Sequence, residues 1–185
     1  YFFTDELEIY RGEEAWVGLP FPAPPKVANP ESPRPDWVNL ASRAEVTLDT
    51  EPDDATVADI DDRKQLVDGA LSPATPLWAD KSAVGWVGGE MTEFTVDLGK
   101  DSPIQGVALH MAAGQSGVEW PMNIEVYVSE DGANFSTVTD VMAALTERPP
   151  EGEYAVMWLV ADKLKTHGRF VKFVISPTNL GNGAY

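Results

Sequence analysis

Cysteine is absent from the 185-residue chain, and histidine occurs only 2 times. The first absence removes disulfides, thiolate nucleophiles and cysteine-based zinc or iron–sulfur sites together, and the second leaves little for a histidine-built metal centre. Positive charge is scarce as well: 13 Lys and Arg stand against 30 Asp and Glu, a net charge of −17. Such a surface repels phosphate backbones and anionic headgroups, so nucleic acid and acidic membranes are not expected as partners. No apolar run approaches the roughly 20 residues that span a bilayer, so membrane insertion is not expected either. The opening residues, YFFTDELEIYRGEE, put acids where a signal peptide needs a basic start and an apolar core, and the sequence reads as a mature or excised segment. Catalytic signatures are missing too. There is no phosphate-cradling glycine loop, no nucleophile elbow and no HExxH pair, and abundant acids without a motif give no way to choose two for glycoside hydrolysis. A non-catalytic protein is expected.

What is present is material for a core, since 43% of the residues are hydrophobic in a chain about the length of one domain with an arm. Of the 15 prolines, 7 fall in residues 20–36, PFPAPPKVANPESPRPD, a density that prevents helix and favours extended backbone. Residues 13–37 are therefore expected to form a semi-rigid linker. Before it, FFTDELEIY is rich enough in aromatic and branched residues for a strand, which makes residues 1–12 a strand detached from the rest. After Trp37, strand-sized windows follow one another: ASRAEVTLDT, MTEFTVDLG, IQGVALHM, MNIEVYVS, FSTVTDV, YAVMWLVA and GRFVKFVIS, separated by turns such as SEDGANF. Many short strands without a long amphipathic helix predict an all-β sandwich over residues 38–185.

Three stretches interrupt this pattern. DRKQLVD, residues 62–68, offers one helical turn. Residues 70–89, broken by Pro73, Pro76, Gly85, Gly88 and Gly89, are expected to be an irregular loop carrying Trp78 and Trp86, and long irregular loops in compact domains are more often functional than idle. The acidic run DDATVADIDD, residues 53–62, lacks the central Gly and the twelfth-position acid of an EF-hand and reads as a solvated loop. Strong acidity without cysteine suits an extracellular or cell-surface, salty or calcium-containing setting, and an acidic cytoplasmic protein has the same composition.

The stretches NLASRAEVTLDT, LVDGALSPATPLW, FTVDLGKDSPIQGVALHM, NIEVYVSEDGANFSTV and GRFVKFVISP, in that order over residues 39–177, resemble the discoidin or coagulation-factor type C family. Its carbohydrate-binding-module relatives share the galactose-binding-like jelly roll. Asp68–Gly69, Trp78, Asp97–Leu98–Gly99, Ser129, Asp131 and Gly132, and Arg169–Phe170–Val171 carry the likeness. The resemblance implies a jelly-roll β-sandwich. Members of the family close with a strand resembling FxDEIEVY, whereas this sequence ends in TNLGNGAY and carries YFFTDELEIYRG, of the right character, at its start. Residues 1–12 are thus expected to complete a sandwich beside the strand around Arg169–Ser176. That sandwich is either the chain's own or a neighbouring copy's, in a head-to-tail assembly, because an unpaired edge invites aggregation.

The resemblance also implies sites. A structural calcium in the family is held by the segment resembling DGxxxxxxxW and by an acid of the closing strand, which here are Asp68, Thr75 and Glu6; hard oxygens of this kind suit calcium. A plainer reading is a turn aspartate bonding its own backbone and a solvent-facing glutamate. Sugar recognition needs an aromatic face with polar groups around it, and Trp86, Trp120, Gln115, Glu119 and His110 are the candidates. For Trp120, before Pro121, the alternative is a cap on the core, and for His110 a bonded rim residue. Trp78 takes the family's core position, and His167 reads as a turn residue. The expected function is a non-catalytic extracellular module that binds polysaccharide or glycan, or adheres, with calcium as a structural ion. The alternative is an assembly unit of a repeat or polymeric extracellular protein, linked to copies of itself by the donated strand, without glycan binding.

Overall fold

Alternating burial sets the architecture: in Asn123–Ser129 the apolar Ile124, Val126 and Val128 are buried while Glu125 and Tyr127 face outward, the period of two expected of a half-buried strand. The computed structural model describes residues 1–21, 33–34, 36–87 and 89–178, so residues 22–32 and 35 of the expected linker lie outside the described residues. The strands are β1 (Phe2–Arg11), β2 (Glu45–Leu48), β3 (Val84–Trp86), β4 (Thr92–Ala113), β5 (Asn123–Ser129), β6 (Ser136–Asp140), β7 (Ala155–Ala161) and β8 (Thr166–Ser176). They pair antiparallel in the order β3-β1-β4-β8-β5-β6, with β2 and β7 also on β4. The expected helical turn is α1 (Asp62–Gln65), and a second short helix, α2 (Val141–Ala144), starts where the Asp140 side chain accepts a hydrogen bond from the Met142 amide at 3.0 Å. Among the described residues no helix is long and apolar enough to cross a membrane.

Two segments expected as separate strands are one. β4 shifts register between Asp97 and Ser102, passing Gly99 at φ +78°, a left-handed conformation that glycine adopts without steric cost. Before this bend β4 pairs with β2 and β8; after it, β4 stays on β8 over Ser102–Ile104 and pairs with β1 and β7. One long strand thereby serves both layers of the jelly-roll sandwich. Leu7 and Ile9 of β1, Phe94 and Leu109 of β4, Ile124 of β5 and Phe173 of β8 are all fully buried in one cluster. Through it runs an aromatic stack, Phe2 to Trp86 to Phe94 to Phe173, with ring centroids 5.0, 6.2 and 5.2 Å apart. Each such ring contributes roughly 1.5–3 kcal/mol through burial.

Three expectations need correction. Residues 1–12 do form a strand with Phe3 in the core, but β1 lies between β3 and β4 of its own chain and not beside β8. The reason is that both edges of β8 are already filled, by β4 and by β5, while β4 offers an apolar register of Leu7 opposite Leu109 and Ile9 opposite Val107. Trp86 belongs to a strand, β3, and not to an irregular loop, because Phe2, Phe3 and Thr4 pair with Trp86, Gly85 and Val84. The acidic run is also less solvated than expected. The Asp53 and Asp54 amides both donate to the Gly85 carbonyl, Val57 is buried, and so is Asp62, whose carboxylate accepts from the Asp59 amide at 3.1 Å.

Candidate functional site

One end of the sandwich gathers the start of β1, the segment after β2, the entry to β4, the entry to β5 and the end of β8. Two adjoining cavities open there, of about 240 and 80 Å³, and share Tyr1, Phe2, Gly89 and Pro177, so that they form one groove. Trp86 lines the larger part. Its ring lies between Phe2 and Phe94, at interplanar angles of 19° and 16°, and its Nε1 donates to the Thr50 carbonyl at 3.0 Å. Both faces of this indole are therefore covered, its exposure is 4%, and only an edge reaches the groove. The aromatic face presented to solvent belongs to Tyr1, 51% exposed, whose ring borders Gly117 and whose carbonyl accepts from the Glu119 amide at 3.2 Å.

Carboxylates make part of the walls, beside Thr50, Thr92, Pro121 and Pro177. Glu51, Asp53 and Glu90 line the larger cavity and Glu119 the smaller one. Asp53 is fixed by accepting from the Val87 amide at 2.7 Å, and Glu51 is paired with Arg63. Glu90 and Glu119 are exposed. Of the residues expected to touch sugar, Trp86 and Glu119 thus meet in the groove. Trp120 is packed behind it, 8% exposed, with Nε1 donating to the Pro150 carbonyl at 2.9 Å, so it caps the core and offers no stacking face. Gln115 is exposed in the preceding turn but does not line either cavity. His110 sits within β4 and away from the groove, its Nδ1 2.6 Å from Asp5 Oδ1 and its ring 4.9 Å from that of Trp158. Tyr1, Asp53 and Glu90 were not singled out by sequence reasoning. The pairing of Phe2 with Trp86 is what brings Tyr1 to the groove, and that register is invisible in a linear pattern.

A second polar site lies where the Asp68 loop crosses β1. Glu6 is 1% exposed; its Oε2 accepts from the Gly69 amide at 2.8 Å, while its Oε1 is buried without a partner. Burial raises its carboxyl to about 8, helped by the negative charges of Glu8, Asp68 and Asp5 and opposed by the Gly69 hydrogen bond. Calcium takes hard oxygen ligands, and the buried, partnerless Oε1 of Glu6 is an oxygen of that kind. Glu6 reaches the Asp68–Gly69 turn through the Gly69 amide. Thr75 lies further along that loop, exposed, and Asp68 itself accepts from the Ala70 amide at 2.7 Å, as a turn aspartate does. Trp78 is half-buried against Phe3 and Tyr154, at centroid distances of 5.5 and 5.4 Å.

His167 is no turn residue. It opens β8, is 1% exposed, and bridges two segments: Nε2 is 2.8 Å from the Leu19 carbonyl and Nδ1 3.0 Å from Asp101 Oδ1, with Phe21 packed 5.0 Å from its ring. Both partners only accept, so the ring satisfies both when it is the doubly protonated imidazolium. Burial lowers its pKa, but the Leu19 carbonyl and the Asp101 carboxylate outweigh that and raise it overall.

Several solved structures resemble this chain. CpGH89CBM32-6 of Clostridium perfringens shares 21% identity over 77% of this chain and 92% of its own, with a TM-score of 0.47. CpGH89CBM32-5 of the same organism, solved in complex with GalNAc-beta-1,3-galactose, shares 18% over 75% and 86%, with a TM-score of 0.43. A fucose-binding module of Streptococcus pneumoniae shares 11% over 78% and 89%, with a TM-score of 0.47. No curated protein sequence matches the chain. The F5/8 type C domain model matches residues 55–184, from the acidic segment that packs on β3 to beyond the end of β8. That span is well over half of the sequence, and the chain belongs to the F5/8 type C, or discoidin, domain family.

Proposed function

We propose that this domain is a non-catalytic, extracellular glycan-binding module. Its sugar site is the groove between Tyr1 and the carboxylates that flank Trp86, and a calcium ion at Glu6 serves as a structural tie. The observation that carries the reading is the groove itself: the half-exposed ring of Tyr1 beside a cavity of about 240 Å³ that Phe2, Trp86, Glu51, Asp53 and Glu90 also line. Sugars present an apolar C–H face and hydroxyl donors, and such a surface answers both. The solved relatives named for GalNAc-beta-1,3-galactose and for fucose support a carbohydrate ligand for the domain class. Glu6 and the Asp68 loop would hold the calcium, which would supply positive charge beside Glu6, Glu8, Asp68 and Asp5. Around it, Glu6 offers Oε1, and the Gly69 amide fixes Oε2 and so aims the carboxylate.

The assembly reading is the weaker of the two, because β1 fills a slot in its own sheet and so has no need of a neighbour. Tyr1→Ala, screened against wild type on a neutral glycan array with circular dichroism as the control for folding, tests the site. Loss of binding with an unchanged spectrum is the expected result; full binding by the variant removes Tyr1 and the groove from the account.

A further inference from the structure

His167 joins two parts of the chain that its protonation state can separate. After Arg11 the chain leaves the sheet, and it returns at Val38, whose carbonyl accepts from the Arg11 amide at 3.0 Å. The outgoing limb, residues 12–21, leads into the proline-rich stretch. Its near half is fixed by the Gly12 amide, which donates to the Pro103 carbonyl at 2.8 Å, and by the Trp16 ring packed over Gly12. In its far half Val17 and Leu19 are 37% and 53% exposed. There the limb reaches the sandwich through the Leu19 carbonyl, 2.8 Å from His167 Nε2, and through Phe21, half-buried with its ring 5.0 Å from the imidazole. We propose that His167 is a pH-operated latch, which holds this limb on the sandwich while the ring carries two protons and frees its far half when one is lost. The proposal is independent of the glycan reading of the groove.

Both ring nitrogens face acceptors, Nε2 the Leu19 carbonyl and Nδ1 the Asp101 carboxylate at 3.0 and 3.2 Å, so only the imidazolium donates to both. The neutral ring carries one N–H, and whichever nitrogen keeps it, the other turns a lone pair toward an acceptor at hydrogen-bond distance. A bond to a carboxylate is stronger than one to a carbonyl, so the proton stays on Nδ1 and the Leu19 carbonyl is the partner that lets go. With His167 only 1% exposed, that carbonyl finds a new donor by moving out to water. The contact with Phe21 weakens in the same step, because an aromatic face attracts a cation more than a neutral ring. The charges that face the imidazole are those of Asp101, in the bend of β4, and Glu130, in the turn after β5. Both favour the protonated ring against the burial that opposes it, and the net result is a pKa above the ordinary 6.5. Arg169, two residues along β8, is engaged by Asp97, and the limb meets the ring with uncharged groups, the Leu19 carbonyl and Phe21. The latch is therefore closed below 6.5 and opens as pH rises through the higher, folded value.

The test is hydrogen exchange of the whole chain from about pH 5.5 to about pH 9, corrected for the intrinsic rate, with the protonation and tautomer of His167 followed by nitrogen NMR over the same range. The limb's own bonds, from the Val17 amide to the Glu14 carbonyl at 3.2 Å and from the Leu19 amide to the Trp16 carbonyl at 3.1 Å, report the change. Residues 14–21 should lose protection by about tenfold, the size of one hydrogen bond to a charged group, with a midpoint at the pKa of His167, while β5 keeps its protection. Asp101→Asn keeps an acceptor and removes a charge, so the midpoint should fall toward 6.5. His167→Gln should abolish the transition, and Glu6→Gln should leave the midpoint in place. The latch is overturned if residues 14–21 stay protected while His167 loses its proton from Nδ1, the case in which Asp101 swings away. It is overturned equally if His167 keeps one protonation state throughout, or if β5 and residues 14–21 lose protection together, which is global unfolding. A midpoint that moves with Glu6→Gln assigns the event to Glu6 and sinks the proposal, and so does an unmoved midpoint in Asp101→Asn, whether or not His167→Gln folds.

Discussion

Replacing Glu6 with Gln isolates the electrostatic tension of a buried carboxylate among like charges. In the absence of a divalent cation, the folded state holds the Glu6 proton up to about 8, against 4.5 for an ordinary glutamate. Because the folded pKa is the higher one, the folded state binds more protons between those values, and stability falls as pH rises through that window. At pH 7 the unfolded chain has lost the proton while the native one keeps it; at about 1.4 kcal/mol per pH unit, the loss relative to pH 4.5 is on the order of 3 kcal/mol. Glu6→Gln cannot titrate, so its urea-unfolding free energy should lack this contribution, whatever its absolute stability. His167 adds a slope of the same sign, since its raised pKa means that stability present below its ordinary value of 6.5 is lost as pH rises through the folded value. That contribution is common to both proteins and cancels in their difference. Calcium binds the carboxylate form, so its addition should restore the wild type at pH 7–8 and leave the variant unchanged. Equal pH slopes for the two proteins in chelator would refute the tension at Glu6, and an equal response to calcium would refute its role in holding the ion.

Trp86→Ala should cost roughly 3–5 kcal/mol in urea unfolding, because the ring is clamped between Phe2 and Phe94 and its removal opens a cavity in the core; a cost below about 1 kcal/mol would contradict the covered stack. Arg169 donates from Nε and Nη2 to the two oxygens of Asp97 at 2.8 and 2.7 Å, and this pair holds the Asp97 carboxyl below its ordinary range. Its stabilisation is present above the unfolded aspartate value and is lost as pH falls through the folded one, so Arg169→Ala should flatten the acid limb of a stability profile, and an unaltered limb would show that the pair contributes nothing.

Strands with period-two burial were legible from the sequence because their signal is local: Ile124, Val126 and Val128 announce β5 without knowledge of any partner. β3 was not, because Val84–Trp86 is three residues long with a glycine at its centre and owes its strand character to β1, far away in the sequence. The same long-range register decides that Tyr1 reaches the groove and that Trp86 shows it only an edge. β1 itself was recognisable as a strand, but its neighbour depends on which edges are already taken, and that is a property of the whole sheet. His167 was read as a turn residue because Thr-His-Gly-Arg has little strand character; its burial comes from Leu19, Asp101 and Phe21, which no local window includes. The meeting of Glu6 with the Asp68–Gly69 loop was legible only through the family resemblance, which assigns a closing-strand acid to that loop.

The central claim is that sugar occupies the groove at Tyr1. A crystal structure of the domain soaked with its best-binding oligosaccharide tests it most directly. The account predicts a pyranose ring stacked on Tyr1, with its polar substituents toward Glu90 and Asp53 and the Trp86 edge beneath it. A sugar bound instead against Trp158 and His110 on the far part of β4, with the Tyr1 groove empty, would contradict it.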